Sequence, residues 1–124
     1  MLLIGSFLLI FIGLVHSYLG EKYILIRLFK RNNLPKLLGS DWLTKRVLRF
    51  AWHLTSIAWW GFAVILYWLT ATDGNPQAEI LLTIAVVFLV SAMVSFVFSH
   101  GKHLSWMVFL AVATVSVFGV PYSE

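Results

Sequence analysis

Four long apolar runs dominate the sequence and leave few folds open to it. They span residues 1–19, 50–70, 80–98 and 104–120, and none contains lysine, arginine, aspartate or glutamate. A helix needs about 20 apolar residues to cross the hydrocarbon core of a bilayer. Backbone polar groups in that core must bond to one another, so runs that cross it are helical. The sequence predicts an all-α polytopic membrane protein, one domain built as a bundle of four transmembrane helices.

Composition excludes a small soluble domain. The chain has 124 residues, of which 60% are hydrophobic and 11% are charged, whereas a soluble domain carries about 25% charged residues. A domain of this size also buries the smallest share of its apolar surface. The chain has no cysteine, which excludes disulfides, thiolate nucleophiles, Fe–S clusters and CxxC metal sites.

The basic residues predict the orientation in the membrane. Eight of the nine lysines and arginines lie in segment 20–49, between helices 1 and 2, and Lys102 lies between helices 3 and 4. The positive-inside rule places both connections in the cytoplasm and both termini outside, with Asp73, Glu79 and Glu124 on the outer side. The first run has no positive residues before it, unlike a signal peptide, so we expect a retained span. A bacterial inner (cytoplasmic) membrane suits this pattern.

The basic connection 20–49 is predicted to hold structure of its own. Residues 21–31 mix apolar and aromatic residues with four basic ones, which is typical of an amphipathic helix at the membrane surface. We expect the basic residues of 22–49 to attract anionic headgroups and not nucleic acid, because the neighbouring apolar residues have a bilayer to enter. Pro35 disfavours helix before it, and Ser40 and Asp41 are good N-caps, so helix 2 should begin near Trp42.

The four histidines all fall at the predicted cytoplasmic helix ends, one on each helix. Neutral imidazole is the commonest metal ligand and suits Fe, Zn and Cu. The sequence therefore predicts a transition-metal site made of His16, His53, His100 and His103. Glu21 is a further candidate ligand only if helix 1 bends at Gly20, since five residues separate it from His16, about 140° round the helix.

Other polar and aromatic residues are expected around this site. Arg49 lies one turn before His53, so it is a candidate contact for an anionic group or substrate. The residues predicted to support the site are Ser17, Ser56, Ser99 and Trp60. A single haem b held by two histidines is the alternative cofactor, because bis-histidine ligation occurs in helical bundles. Packing at the membrane interface accounts for the histidines equally well.

These features support functions from different classes. A bound metal would serve redox or metal-assisted chemistry, although no nucleophile–base pair or phosphate loop is present and enzyme activity stays open. Alternatively, the chain is a non-catalytic accessory or assembly subunit of a larger membrane complex and needs no cofactor. In either case we expect a homo-oligomer or a larger assembly. A proton-coupled transporter is disfavoured because no acidic residue lies within the apolar runs.

Overall fold

The computed structural model describes residues 1–121, and within them the chain is helical with no named strand. The predicted outer position of the C-terminus, with Glu124, lies outside the described residues. The helical elements, in chain order, are α1 (Leu2–Leu19), a π-helical segment (Gly20–Leu25), α2 (Ile26–Leu28), α3 (Trp42–Ala71), α4 (Gln77–Ser99) and α5 (Ser105–Phe118).

Three helices are long and apolar enough to cross a membrane, which makes this a multi-pass membrane protein. They are Leu2–Leu28, which joins α1, the π segment and α2, then Trp42–Ala71 and Gln77–Ser99. The fourth predicted run, 104–120, is helical over the 14 residues of α5. At 1.5 Å per residue α5 is about 21 Å long, whereas the hydrocarbon core is about 30 Å thick. The fourth run is thus a helix shorter than a full span.

The boundary predicted between helix 1 and an interfacial helix over 21–31 is wrong. Gly20 has helical dihedral angles (φ −62°, ψ −47°), and the chain continues from α1 through the π segment into α2 without a break. No proline lies before Pro35, and a glycine whose neighbours are helical does not by itself end a helix. Regular helix ends at Leu28, so the predicted break ahead of Pro35 is present.

The start of α3 lies where the cap residues predicted it. Asp41 is the N-cap residue, and α3 then runs unbroken for 30 residues. The Asp41 carboxylate lies 2.7 Å from Lys45 Nζ, one turn further on. The backbone N–H of Trp42 donates weakly to Ser40 Oγ at 3.4 Å. The helix that carries His53 therefore begins in the basic connection and continues into the membrane-length apolar run.

The helices pack in chain order and form an open bundle. α1 packs against α3, α3 against α4, and α4 against α5. Within residues 1–121, α1 and α5 do not approach one another, so the arrangement does not close into a ring. The histidines therefore do not face a common axis shared by all four helices.

Small residues allow the close helix contacts. A Cβ on Gly13 would lie 2.4 Å from Trp60 Nε1, and a Cβ on Gly61 would lie 2.5 Å from Val87 Cγ2. Along α4, Ser91, Ser95 and Ser99 share one buried face, and the Ser95 hydroxyl is hydrogen-bonded to Ser105 of α5. Helices in lipid associate through such small residues because lipid tails leave no hydrophobic drive between apolar surfaces.

Candidate functional site

A polar clasp joins the continuous helix Leu2–Leu28, called helix 1 below, to α3 on the side of the basic connections. We define the clasp by five side chains: Ser17, Glu21, Arg49, His53 and Ser56. Arg49 Nη2 lies 2.8 Å from Glu21 Oε1, and Arg49 Nε donates to Oε2 at 3.3 Å, so the guanidinium holds both carboxylate oxygens. His53 Nε2 lies 3.2 Å from Glu21 Oε2. A bidentate pair of this kind fixes geometry as well as adding energy.

Two serines complete the clasp on its membrane side. His53 Nδ1 lies 3.0 Å from Ser17 Oγ, and Ser17 Oγ donates to Ser56 Oγ at 2.8 Å. Ser56 is fully buried. Both ring nitrogens of His53 thus face oxygen atoms, which fixes the orientation of the ring. The clasp satisfies its own polar groups and ties two helices together, so it presents no free ligand atom of His53.

Helical spacing explains how these five side chains meet. Ser17 and Glu21 are four residues apart on helix 1, and Arg49 and His53 are four apart on α3, with Ser56 three further on. Residues at such spacing share one face. Ser17, and not His16, faces His53, and Glu21 lies on the same face as Ser17. Glu21 therefore reaches His53 as well. The chain also leaves regular α geometry at Gly20 and enters the π segment, a form often found at functional sites.

Gly20 is required by a tryptophan that sequence reasoning did not single out. Trp52 Nε1 donates to the carbonyl oxygen of His16 at 3.1 Å. A Cβ on Gly20 would lie 2.0 Å from that nitrogen, so the indole fills the space that any other residue would need. The four-residue spacing of His16 and Gly20 was visible in the sequence, but nothing there indicated which side chain would lie against it.

His16 contacts a different face of α3 from the clasp. Its ring stacks on Trp52 with centroids 4.5 Å apart and planes within 2°, and Nε2 lies 2.9 Å from Thr55 Oγ1. Trp52, Thr55 and Trp59 lie roughly 100° round α3 from Arg49 and His53. A cavity of about 490 Å³ beside His16 is lined otherwise by aliphatic and aromatic residues and Gly20.

His103 belongs to a second polar group, between α4 and α5. Its Nδ1 lies 2.8 Å from Ser105 Oγ, and its backbone N–H donates to Ser99 Oγ at 3.3 Å. Ser105 Oγ is also hydrogen-bonded to Ser95 Oγ. The buried ring of Phe50 lies edge-on to the imidazole, with centroids 5.5 Å apart. Ser99 thus supports His103, and this group is separate from the clasp.

His100 is exposed at the turn between α4 and α5. It ends α4 in the left-handed region (φ 50°), where histidine is among the more tolerated residues. Its ring lies edge-on to Trp42, with centroids 4.9 Å apart. Trp60, the remaining predicted neighbour, lies deeper along α3 and donates from Nε1 to the carbonyl oxygen of Ile10 at 3.3 Å.

The structure therefore brings together part of the predicted site. Glu21, Arg49, His53, Ser17 and Ser56 meet, whereas His16, His100, His103 and Trp60 each contact other residues. Within residues 1–121, no group of three or more histidine, aspartate or glutamate side chains is arranged to hold a metal ion. A metal bound by four histidines, and haem b, stay predictions from the sequence that this arrangement of rings does not favour.

Comparison of the chain with protein families, with curated proteins and with solved structures found no match.

Proposed function

We propose that this protein is a non-catalytic accessory or assembly subunit of a larger complex in a bacterial inner membrane. Four spans, with both termini outside and both basic connections in the cytoplasm, are part of the proposal. Three membrane-length helices and the complete separation of lysines and arginines from the connection 71–77 support it. In this topology the shorter α5 crosses where the bilayer thins locally to match its length.

The observation that carries the proposal is the open bundle. Between α3 and α4 lies a mostly apolar groove of about 740 Å³. Its lining includes Trp60, Val64 and Trp68 on α3 and Thr83, Val87 and the charged Glu79 on α4. A bundle that closed on itself would fill such a groove with its own side chains. An open one leaves it for a helix or lipid from outside.

The small residues that would otherwise attract a partner helix already pack within the chain. Gly13 lies against Trp60, Gly61 lies against Val87, and Ser95 is bonded to α5. We therefore expect a partner to contact the larger side chains that line the groove. The polar groups point the same way, because the clasp and the His103 group are bonded internally and suit a structural role better than a catalytic one.

Native extraction tests this proposal. Tagged protein expressed at its natural level would be extracted with its surrounding lipid in polymer nanodiscs, and its protein mass measured by light scattering and mass spectrometry. We expect a mass well above the 14.1 kDa of one chain, with a second, larger polypeptide in fixed ratio. A mass of one or two copies of this chain alone would contradict the proposal.

Histidine variants separate this proposal from the cofactor alternative. We expect His53→Ala and His100→Ala to leave the composition of the complex unchanged, and the purified protein to show neither stoichiometric metal nor a Soret band. Stoichiometric iron, zinc or copper that is lost in His53→Ala would overturn the accessory-subunit proposal in favour of a metal site.

A further inference from the structure

Two cations from different connections lie on the same tryptophan. Arg46, in the first turns of α3, has its Cζ 5.5 Å from the ring centre of Trp42, and Lys102, in the α4–α5 turn, has its Nζ 5.0 Å from that centre. The two cationic centres are therefore no more than about 10.5 Å apart, the sum of those distances. His100 adds an imidazole against the same indole. Separate parts of the chain thus place two cations and an imidazole around one indole.

No carboxylate neutralises this spot among the described residues. Asp41, next to Trp42 in the chain, is paired with Lys45 at 2.7 Å. Glu21 is held by Arg49 and His53 within the clasp. The cation–π contacts with Trp42 attract each cation but do not cancel the repulsion between the two. An anion bound between Arg46 and Lys102 would relieve that repulsion.

We propose that Trp42, Arg46, His100 and Lys102 form a binding site for the phosphate of an anionic phospholipid in the cytoplasmic leaflet. The guanidinium and the ammonium bind the phosphate oxygens, and the Trp42 indole lies at the depth of the headgroups. This is a single site, narrower than the general attraction expected of segment 22–49. It includes Lys102, which lies outside that segment, and leaves out most of the cations within it.

The surroundings favour a lipid phosphate over a free anion. Arg46 also lies over the ring of Phe98, at 6.0 Å. Val97 and Leu104, on either side of the turn, are 62% and 68% exposed. A ligand with an anionic head and apolar chains can contact both the cations and this apolar surface, whereas inorganic phosphate gains only the first. The leaflet rests on the proposed topology, but the binding itself does not.

Native mass spectrometry of the full chain in detergent micelles tests the site. The protein would be titrated with dioleoyl phosphatidylglycerol, with dioleoyl phosphatidylcholine as the zwitterionic lipid and with inorganic phosphate as the free anion. We expect one phosphatidylglycerol to be retained, and its affinity to fall roughly tenfold or more in Arg46→Gln/Lys102→Gln. The matched control is Lys30→Gln/Arg31→Gln, which removes two exposed cations from the same basic connection and should change affinity less than about twofold.

A charge-preserving exchange guards against a folding artefact. Arg46→Lys/Lys102→Arg keeps both charges and should retain the lipid, and circular dichroism would show that all variants keep their helices. Equal losses in the two Gln pairs would overturn the site in favour of diffuse attraction. Equal retention of phosphatidylcholine, or displacement of the lipid by millimolar inorganic phosphate, would also overturn it. The titration uses isolated protein, so lipid binding can fail while the accessory-subunit proposal stands. Equally, the lipid can bind even if native extraction finds no partner.

Discussion

Glu21 is the residue on which the clasp depends, because its carboxylate contacts both Arg49 and His53. We expect Glu21→Gln to lower the free energy of unfolding by about 1–2 kcal/mol, since it removes charged hydrogen bonds from side chains that are only about one-third exposed. The measurement is unfolding by sodium dodecyl sulfate in mixed micelles, followed by circular dichroism.

Asp41→Asn is the matched control for this prediction. It makes the same change from carboxylate to amide but breaks only the i,i+4 pair with Lys45, worth about 0.3–0.5 kcal/mol. Equal losses in the two variants would show that the clasp adds nothing beyond an ordinary surface pair.

Gly20 provides a second test, which concerns the packing of Trp52 against helix 1. Gly20→Ala would place a methyl group where the indole of Trp52 lies, so we expect a loss of about 1–3 kcal/mol and a shift of the tryptophan emission. Gly119→Ala is the control, because a Cβ there meets its nearest neighbours at 3.5 Å, an ordinary contact. If both variants were equally stable, Trp52 would not be packed against Gly20.

The packing of α3 against α4 can be tested at Gly61. A Cβ on Gly61 would lie 2.5 Å from Val87 Cγ2, so Gly61→Ala should cost about 1–3 kcal/mol through overpacking. Adding Val87→Ala removes the obstructing methyl and should recover part of that loss. The double-mutant cycle in mixed micelles measures this recovery, and strictly additive effects would contradict the helix contact.

The helices were largely predictable from the sequence, whereas the way they face one another was not. The apolar runs of membrane length and the cap at Asp41 predicted the bounds of α3 and α4 to within a few residues. The rotation of helix 1 about its axis decides whether His16 or Ser17 meets His53, and a change of one residue turns the face by 100°. That rotation is fixed together with tertiary contacts such as Trp52 against Gly20, which have no signature in hydropathy.

Helix rotation also explains why the four histidines do not converge as the sequence predicted. Depth along a helix follows from counting residues, and all four histidines lie nearer the basic than the opposite ends of their helices. His16 and His53 are nevertheless 12 and 11 residues from the helix ends at Leu28 and Trp42. Convergence needs four helices to face a common axis, and the open bundle offers instead three separate helix pairs. The sequence predicted that Glu21 would reach the site only through a bend at Gly20. Glu21 contacts His53 instead because it lies four residues after Ser17, on the same face of helix 1.

The orientation of the whole molecule in the membrane decides on which side its basic end acts. The basic connections, the clasp and the proposed lipid site all lie at one end of the helices, and each acts at the cytoplasmic surface only if that end faces inward. The absence of native cysteine in the sequence allows each connection to be labelled through one introduced thiol.

The most direct measurement is therefore the labelling of single-cysteine variants with a membrane-impermeant maleimide, on intact spheroplasts and on inverted vesicles. The variants are Asn33→Cys, Thr72→Cys, Leu104→Cys and Ser123→Cys. We predict labelling from the outside at 72 and 123 and from the cytoplasmic side at 33 and 104. Labelling of 33 from the outside would contradict the orientation, and labelling of 104 and 123 from the same side would contradict the fourth crossing.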